Sequence, residues 1–186
     1  MTRTPKSGPA AEKTGADRPA DDSPSLIDDL NEHPGHLFRR AQQISTSVFY
    51  ATLGEHITPI QFALLNAIQH HPGVDQVTLA SLVGLDTSTT AATATRLEEK
   101  GLIERRLEVV LRRQRKLYLT GQGVRTMEGM TQGLTDMRKQ LLSRLSPWEQ
   151  ETLMRLLRKF VEVNNEFSRA PLGEVSRLPK GRRNSA

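Results

Sequence analysis

Two short apolar stretches meet at Gly84, and soon afterwards the chain changes to alternating basic strands. Few architectures accommodate that succession. In Thr78-Leu79-Ala80-Ser81-Leu82-Val83-Gly84, Thr78 is read as a helix cap and Leu79, Leu82 and Val83 as the buried side. Gly84 permits the left-handed geometry of a tight turn. Asp86, Thr87 and Ser88 offer cap oxygens for a second helix, which runs to Lys100 and stops at Gly101. Two helices joined by such a corner form a helix-turn-helix.

The texture then alternates. Leu102-Ile103-Glu104-Arg105-Arg106 reads as a strand, and Arg115-Lys116-Leu117-Tyr118-Leu119 as a half-buried strand returning, with a hairpin tip near residues 108–113. A hairpin directly after a recognition helix is a winged helix, a far more specific pattern than the turn alone.

Helices flank this unit. Leu37, Ala41, Ile44, Val48 and Ala51 recur at helical spacing after Pro34-Gly35. Thr58-Pro59 starts a second helix with Phe62, Leu65 and Ile68 on its apolar stripe, and Pro72-Gly73 ends it. Thr120 caps a long helix bearing Val124, Met127, Leu134, Leu141 and Leu145. Ser146-Pro147-Trp148-Glu149 carries a cap, a first-turn proline and a capping-box glutamate, followed by Leu153, Leu156, Leu157, Phe160, Val161 and Phe167. The expected fold class is therefore mostly α with a small β-hairpin wing. Residues 26–167 form the domain, with a lobe at about 58–119 and dimerisation helices at about 36–53 and 120–167. Residues 1–25 and 168–186 are expected as tails, the second basic.

Composition narrows the function. A net charge of +5 favours a polyanionic partner. The chain has no cysteine, which excludes thiol redox switches, cysteine-ligated zinc and iron–sulfur clusters. No phosphate-cradling glycine loop, HExxH helix or GxSxG turn is present, so no enzyme and no cofactor is expected. His70 and His71 are adjacent and point apart on a helix, so no metal site is expected either. No apolar run approaches the ~18–20 residues of a bilayer span. Residues 1–25 lack the apolar stretch of a secretory signal, and a cytoplasmic protein is the default.

Between Asp86 and Arg96 the second helix is crowded with small hydroxyl residues, although threonine is a mediocre helix former. Small side chains let a helix sit deep in the major groove. Ser88, Thr89, Thr90 and Thr93 are the expected base-edge contacts, with Thr87 and the helix N-terminus on phosphate. The competing reading makes these residues a packing face within the lobe. Arg105, Arg106, Arg112, Arg113, Arg115 and Lys116 concentrate positive charge on the wing against one acid, Glu108. Arg115 and Arg96 suit phosphate contacts. A solvated charged hairpin is the alternative.

The chain resembles the MarR family of bacterial regulators over about residues 35–167. The residues that carry this are Thr58-Pro59-Ile60-Gln61-Phe62, His71-Pro72-Gly73, Leu79-Ala80, Leu85-Asp86-Thr87-Ser88-Thr89-Thr90, Arg96-Leu97-Glu98-Glu99-Lys100-Gly101-Leu102-Ile103 and Leu119-Thr120-x-x-Gly123. The resemblance implies a homodimer on a near-palindromic double-stranded operator, and repression relieved by a small ligand. It implies Arg113, with Arg112 beside it, as the residue inserted into the minor groove. It places an effector pocket near His36, Phe38, Arg39, Arg40, Tyr50, Gln61, Phe62 and Asn66, suited to an aromatic carboxylate or an acyl-CoA. Two positions depart from the family pattern: Leu111 stands where the wing commonly has Asp, and Thr87 where Arg often follows the recognition-helix Asp. Phe38, Trp148, Phe160 and Phe167 are expected either at a dimer interface or in the core. The alternative function is a winged-helix adaptor for another protein, or an RNA binder.

Overall fold

Capping residues set most of the helix boundaries. The structure, a computed structural model, describes residues 29–108 and 114–173. The chain divides into two units, residues 1–40 and 41–186. The described part of the first holds a 3-10 turn, Leu30–Glu32, capped by the Asp29 carboxylate, and the opening turns of α1 (Pro34–Leu53). The expected N-terminal tail lies outside the described residues.

In the second unit, α2 (Pro59–His70) starts with a full capping box. Thr58 accepts from the Gln61 backbone N–H, and the Gln61 side chain accepts from the Thr58 N–H. A two-residue strand β1 (Val74–Asp75) leads into α3 (Gln76–Val83). Here the expected cap is corrected: Asp75 caps the helix by accepting from the Thr78 N–H at 3.0 Å. Thr78 lies a turn inside and donates its own hydroxyl to Asp75. Gly84 takes the left-handed conformation, φ 65°, and α4 (Thr87–Glu99) begins after Asp86.

The wing strands β2 (Ile103–Glu108) and β3 (Gln114–Leu119) pair antiparallel from Ile103↔Leu119 to Glu108↔Gln114. The sheet has three strands rather than the expected two, because β1 pairs with the other edge of β3 through Val74↔Leu117. Helix α5 (Gly121–Leu142) follows the Thr120 cap, and α6 (Pro147–Val163) the Ser146 capping box.

One core joins these elements. Leu64, Leu65 and Ile68 of α2 meet Leu79, Ala94, Leu97, Leu102, Ile103 and Leu117, with Phe49, Met127 and Met130 closing the cluster. The recognition helix and the wing base are thus fastened to the same apolar centre. No residue of α6 is buried; Leu153, Leu156, Leu157, Phe160 and Val161 along it are exposed, and Trp148 is 72% exposed. Core packing is therefore not what accounts for Trp148, Phe160 or Phe167, all of which are exposed in the single chain.

Candidate nucleic-acid interface

Helix α4 is held at its start, its side and its end. At the start, Asp86 accepts from the Thr89 N–H at 2.7 Å and from the hydroxyls of Ser88 and Thr89. The Ser88 hydroxyl first, and then the two Thr89 groups, hold the Asp86 carboxyl well below the usual carboxylate range. The sign follows: the cap is fully charged above the ordinary carboxylate value and loses its contribution only as the pH falls below that. An ionised carboxylate therefore already occupies the helix N-terminus. This corrects the expectation that the N-terminus is open to a phosphate.

Along its side, α4 is tied to the wing. Arg105 of β2 donates to Glu98 and, at 3.1 Å, to Thr95 Oγ1. The Arg105 side chain is only 17% exposed. At the far end, the Lys100 ammonium donates to the His56 carbonyl at 2.6 Å and to Gln61 Oε1 at 3.2 Å. These three anchors fix the helix against the lobe.

Burial then decides which expected contacts reach outward. Thr90 is completely buried and its hydroxyl donates to the Asp86 carbonyl one turn back; Thr93 is buried too. A threonine satisfies its hydroxyl this way inside a helix, so both are corrected from groove contacts to packing residues, beside Ala94 and Leu97. Thr87 and Ser88 are exposed and Thr89 half-buried. The outward face continues through Ala92, Thr95 and Arg96, of which only Arg96 was singled out from sequence. Helical spacing from Leu97 would have placed Thr90 and Thr93 inward and Ala92 and Thr95 outward.

The wing's positive charge is also sorted. Arg105 and Lys116 turn inward, Lys116 standing 3.8 Å from the Asp75 carboxylate. Burial raises the Asp75 pKa, but the Thr78 hydrogen bonds and the Lys116 charge outweigh it and leave it lowered. Arg106 is exposed, pairs with Glu104 and lies over the Tyr118 ring at 4.6 Å, within cation–π range. Arg115 is exposed on β3. Arg112, Arg113 and Leu111 lie outside the described residues. Tyr118, the aromatic nearest the wing, is half-buried, which leaves it a poor platform for stacking single-stranded bases.

The base of the wing explains the Leu119-Thr120-x-x-Gly123 motif. Thr120 donates its hydroxyl to the Gly101 carbonyl at 2.6 Å and accepts the Gly123 N–H at 3.0 Å. A side-chain carbon on Gly123 would lie 2.0 Å from the Leu102 carbonyl oxygen. Only glycine fits that approach.

The expected effector residues fall into separate groups. Within the first unit, Arg39 hydrogen-bonds His36 Nδ1 at 3.2 Å, and Phe38 and Arg40 are exposed. Within the second, Phe49 joins Tyr50 edge-on at 5.7 Å and Phe62 at 6.2 Å, while Asn66 is exposed one turn beyond Phe62. Gln61 is buried and committed to the Thr58 cap and Lys100, so it is corrected from a ligand contact to a structural clamp.

The model of the MarR family matches residues 57–114, from the end of the α1–α2 loop through the recognition helix to the start of β3. The transcriptional regulator HosA of Escherichia coli is 30% identical over 69% of this chain and 94% of its own. The chain belongs to the MarR family. It is a DNA-binding transcriptional regulator, not an enzyme. The fold agrees with solved members: the PcaV regulator of Streptomyces coelicolor, crystallised with its natural ligand, has a TM-score of 0.68 and 35% identity over 72% of this chain and 95% of its own. The Bordetella bronchiseptica regulator BpsR, whose DNA binding is regulated by 6-hydroxynicotinic acid, has a TM-score of 0.63 and 27% identity over 68% and 96%. Membership favours DNA over the adaptor and RNA alternatives. Among the described residues no helix is long and apolar enough to cross a membrane.

Inside this family frame Arg105 is a positioning residue. Arg105→Ala is expected to lower stability by about 1–2 kcal/mol and to weaken operator binding with little change in its salt dependence. Arg115→Ala is expected to leave stability unchanged and reduce the salt slope by about 1. Urea melts and operator titrations at several salt concentrations separate the two.

Proposed function

We propose that this regulator binds a near-palindromic operator as a homodimer, represses from it, and is released by a small aromatic carboxylic acid. The observation that carries the DNA reading is the exposed face of α4, Thr87 to Arg96, locked by Glu98 and Arg105 to a basic wing. Small hydroxyl and methyl groups on that face suit the major groove, and the wing arginines suit the minor groove or its phosphates. One such lobe reads few base pairs, and two-fold repetition provides the rest. The exposed apolar residues of α6 supply a surface for that pairing.

The ligand class is supported by the control of BpsR by 6-hydroxynicotinic acid and by the Phe62–Asn66 face of α2, with the Phe49–Tyr50 pair against Phe62. Rings stack or pack there, and an amide can orient a ring substituent. His36, Phe38, Arg39 and Arg40 complete the proposed set, an arginine providing the bidentate partner of a carboxylate.

The test is release of a labelled operator duplex from the protein. Hydroxylated benzoic and nicotinic acids should dissociate it, and their uncharged amides should not. Release by the acyl-CoA thioesters alone would replace the free-acid reading, and no release by any member would remove ligand control. In the same assay Arg113→Ala should weaken binding by ~1–3 kcal/mol and flatten the salt dependence; an unchanged slope counts against insertion of the wing.

A further inference from the structure

Residues 168–173, expected from sequence to begin a free tail, are instead fastened across the helix-turn-helix. The Asn165 side chain clamps Leu172 from both sides, donating to its carbonyl at 3.0 Å and accepting its N–H at 2.8 Å. The next residue, Gly173, donates its N–H to the Ser81 carbonyl at 3.0 Å. Ser81 lies in the last turn of α3, where carbonyls have no partner within the helix; the strap supplies one. The contact is close-fitting. A side-chain carbon on Gly173 would lie 2.2 Å from Ser81 Oγ, and one on Gly84 would lie 3.2 Å from a Leu172 methyl.

The strap determines where the chain goes next. Gly173 leaves the surface beside Ser81 and Gly84, and Gly84 precedes the first residue of α4 by three positions. At 3.8 Å per residue those positions span at most about 11 Å. The residues that follow, 174–186, contain Arg177, Lys180, Arg182 and Arg183 against the single acid Glu174. From Gly173, Arg183 can reach up to about 35 Å, roughly one turn of duplex. The cations thus start from the corner that precedes the groove-binding helix, with enough chain to meet phosphates outside the footprint of α4 and the wing.

We propose that residues 174–186 are an additional DNA-contacting arm, launched by the 165–173 strap from the helix-turn-helix corner, and that the arm binds flanking phosphates without reading sequence. The proposal rests on the DNA-binding reading above. Its energetic signature is counterion release: each phosphate neutralised on a duplex contributes about −0.9 to the slope of log K against log salt.

The test compares the full chain with a chain ending at Gly173, which keeps the strap, and with the full-length variant Arg177→Ala/Lys180→Ala/Arg182→Ala/Arg183→Ala. Binding to an operator duplex with long flanks and to a scrambled duplex is titrated across a series of salt concentrations. Both altered chains should lose about 3 from the slope and bind each duplex roughly tenfold or more weakly, leaving the ratio between duplexes unchanged. Trimming the flanks of the operator should weaken the full chain and leave the shortened one unaffected. Asn165→Ala, which keeps every charge and frees the strap, should reproduce part of the affinity loss while largely preserving the slope. A shortened chain with the slope and affinity of the full one overturns the arm and leaves the regulator standing. A full chain without salt-dependent DNA binding overturns both.

Discussion

Leu153→Glu combined with Leu156→Glu is expected to yield a folded monomer whose operator affinity drops to that of sequence-blind binding, roughly 10³-fold or more below the parent. The two positions are 38% and 49% exposed on a helix with no buried residue. Glutamates there cost the single chain little. In a dimer that uses this face they become unpaired buried charges, which associations tolerate poorly. Sedimentation equilibrium reads the assembly state and anisotropy reads the DNA. Trp148, the chain's one tryptophan, provides a third readout: its exposed indole should emit at longer wavelength in the monomeric variant. A variant that stays dimeric with full operator affinity would move the interface elsewhere.

Gly123→Ala is expected to destabilise the fold by about 3 kcal/mol, at the upper end of overpacking costs, while Gly129→Ala on the same helix should stabilise it by about 0.5–1 kcal/mol. The two differ only in surroundings. A methyl at 123 meets the Leu102 carbonyl, a backbone atom fixed by the Thr120 N–H bond at 3.1 Å; a methyl at 129 meets nothing. Denaturant midpoints provide the comparison. Loss of operator binding by Gly123→Ala in excess of its destabilisation would mean that the wing base also sets the wing's direction. Equal midpoints for the two variants would show that Leu102 can yield, and that the close approach is not a constraint.

The fold was legible wherever a boundary is made by local chemistry. Thr58-Pro59, Thr120 and Ser146-Pro147-Trp148-Glu149 start helices because each presents an oxygen to free N–H groups. The same rule misplaced α3 when applied to the nearest hydroxyl, since Asp75, not Thr78, is the stronger acceptor at that start. Strand β1 escaped notice because two residues carry no alternation; it exists only through Leu117.

At the interface, polarity misled where helical phase would not have. A run of threonines reads as one polar surface, yet Thr90 and Thr93 share the phase of Leu97 and are buried. Partners distant in sequence were invisible: nothing local announces that Arg105 belongs to Glu98, Lys100 to Gln61 and His56, or Lys116 to Asp75. The strap is a similar case, being a polar segment without periodicity that is ordered by one asparagine side chain and a backbone carbonyl.

The three anchors on α4 carry one more consequence. A helix fixed at Asp86, Glu98 and Lys100 has little freedom to shift in register or bend toward an imperfect base sequence. Its outward face offers mostly methyls and hydroxyls, which discriminate weakly between letters. In the proposed dimer the molecule therefore acts as a caliper: it checks whether two half-sites stand at the right separation and rotational phase. Each base pair inserted between them turns one half-site by about 34° relative to the other, a mismatch that two stiff heads cannot absorb by local adjustment.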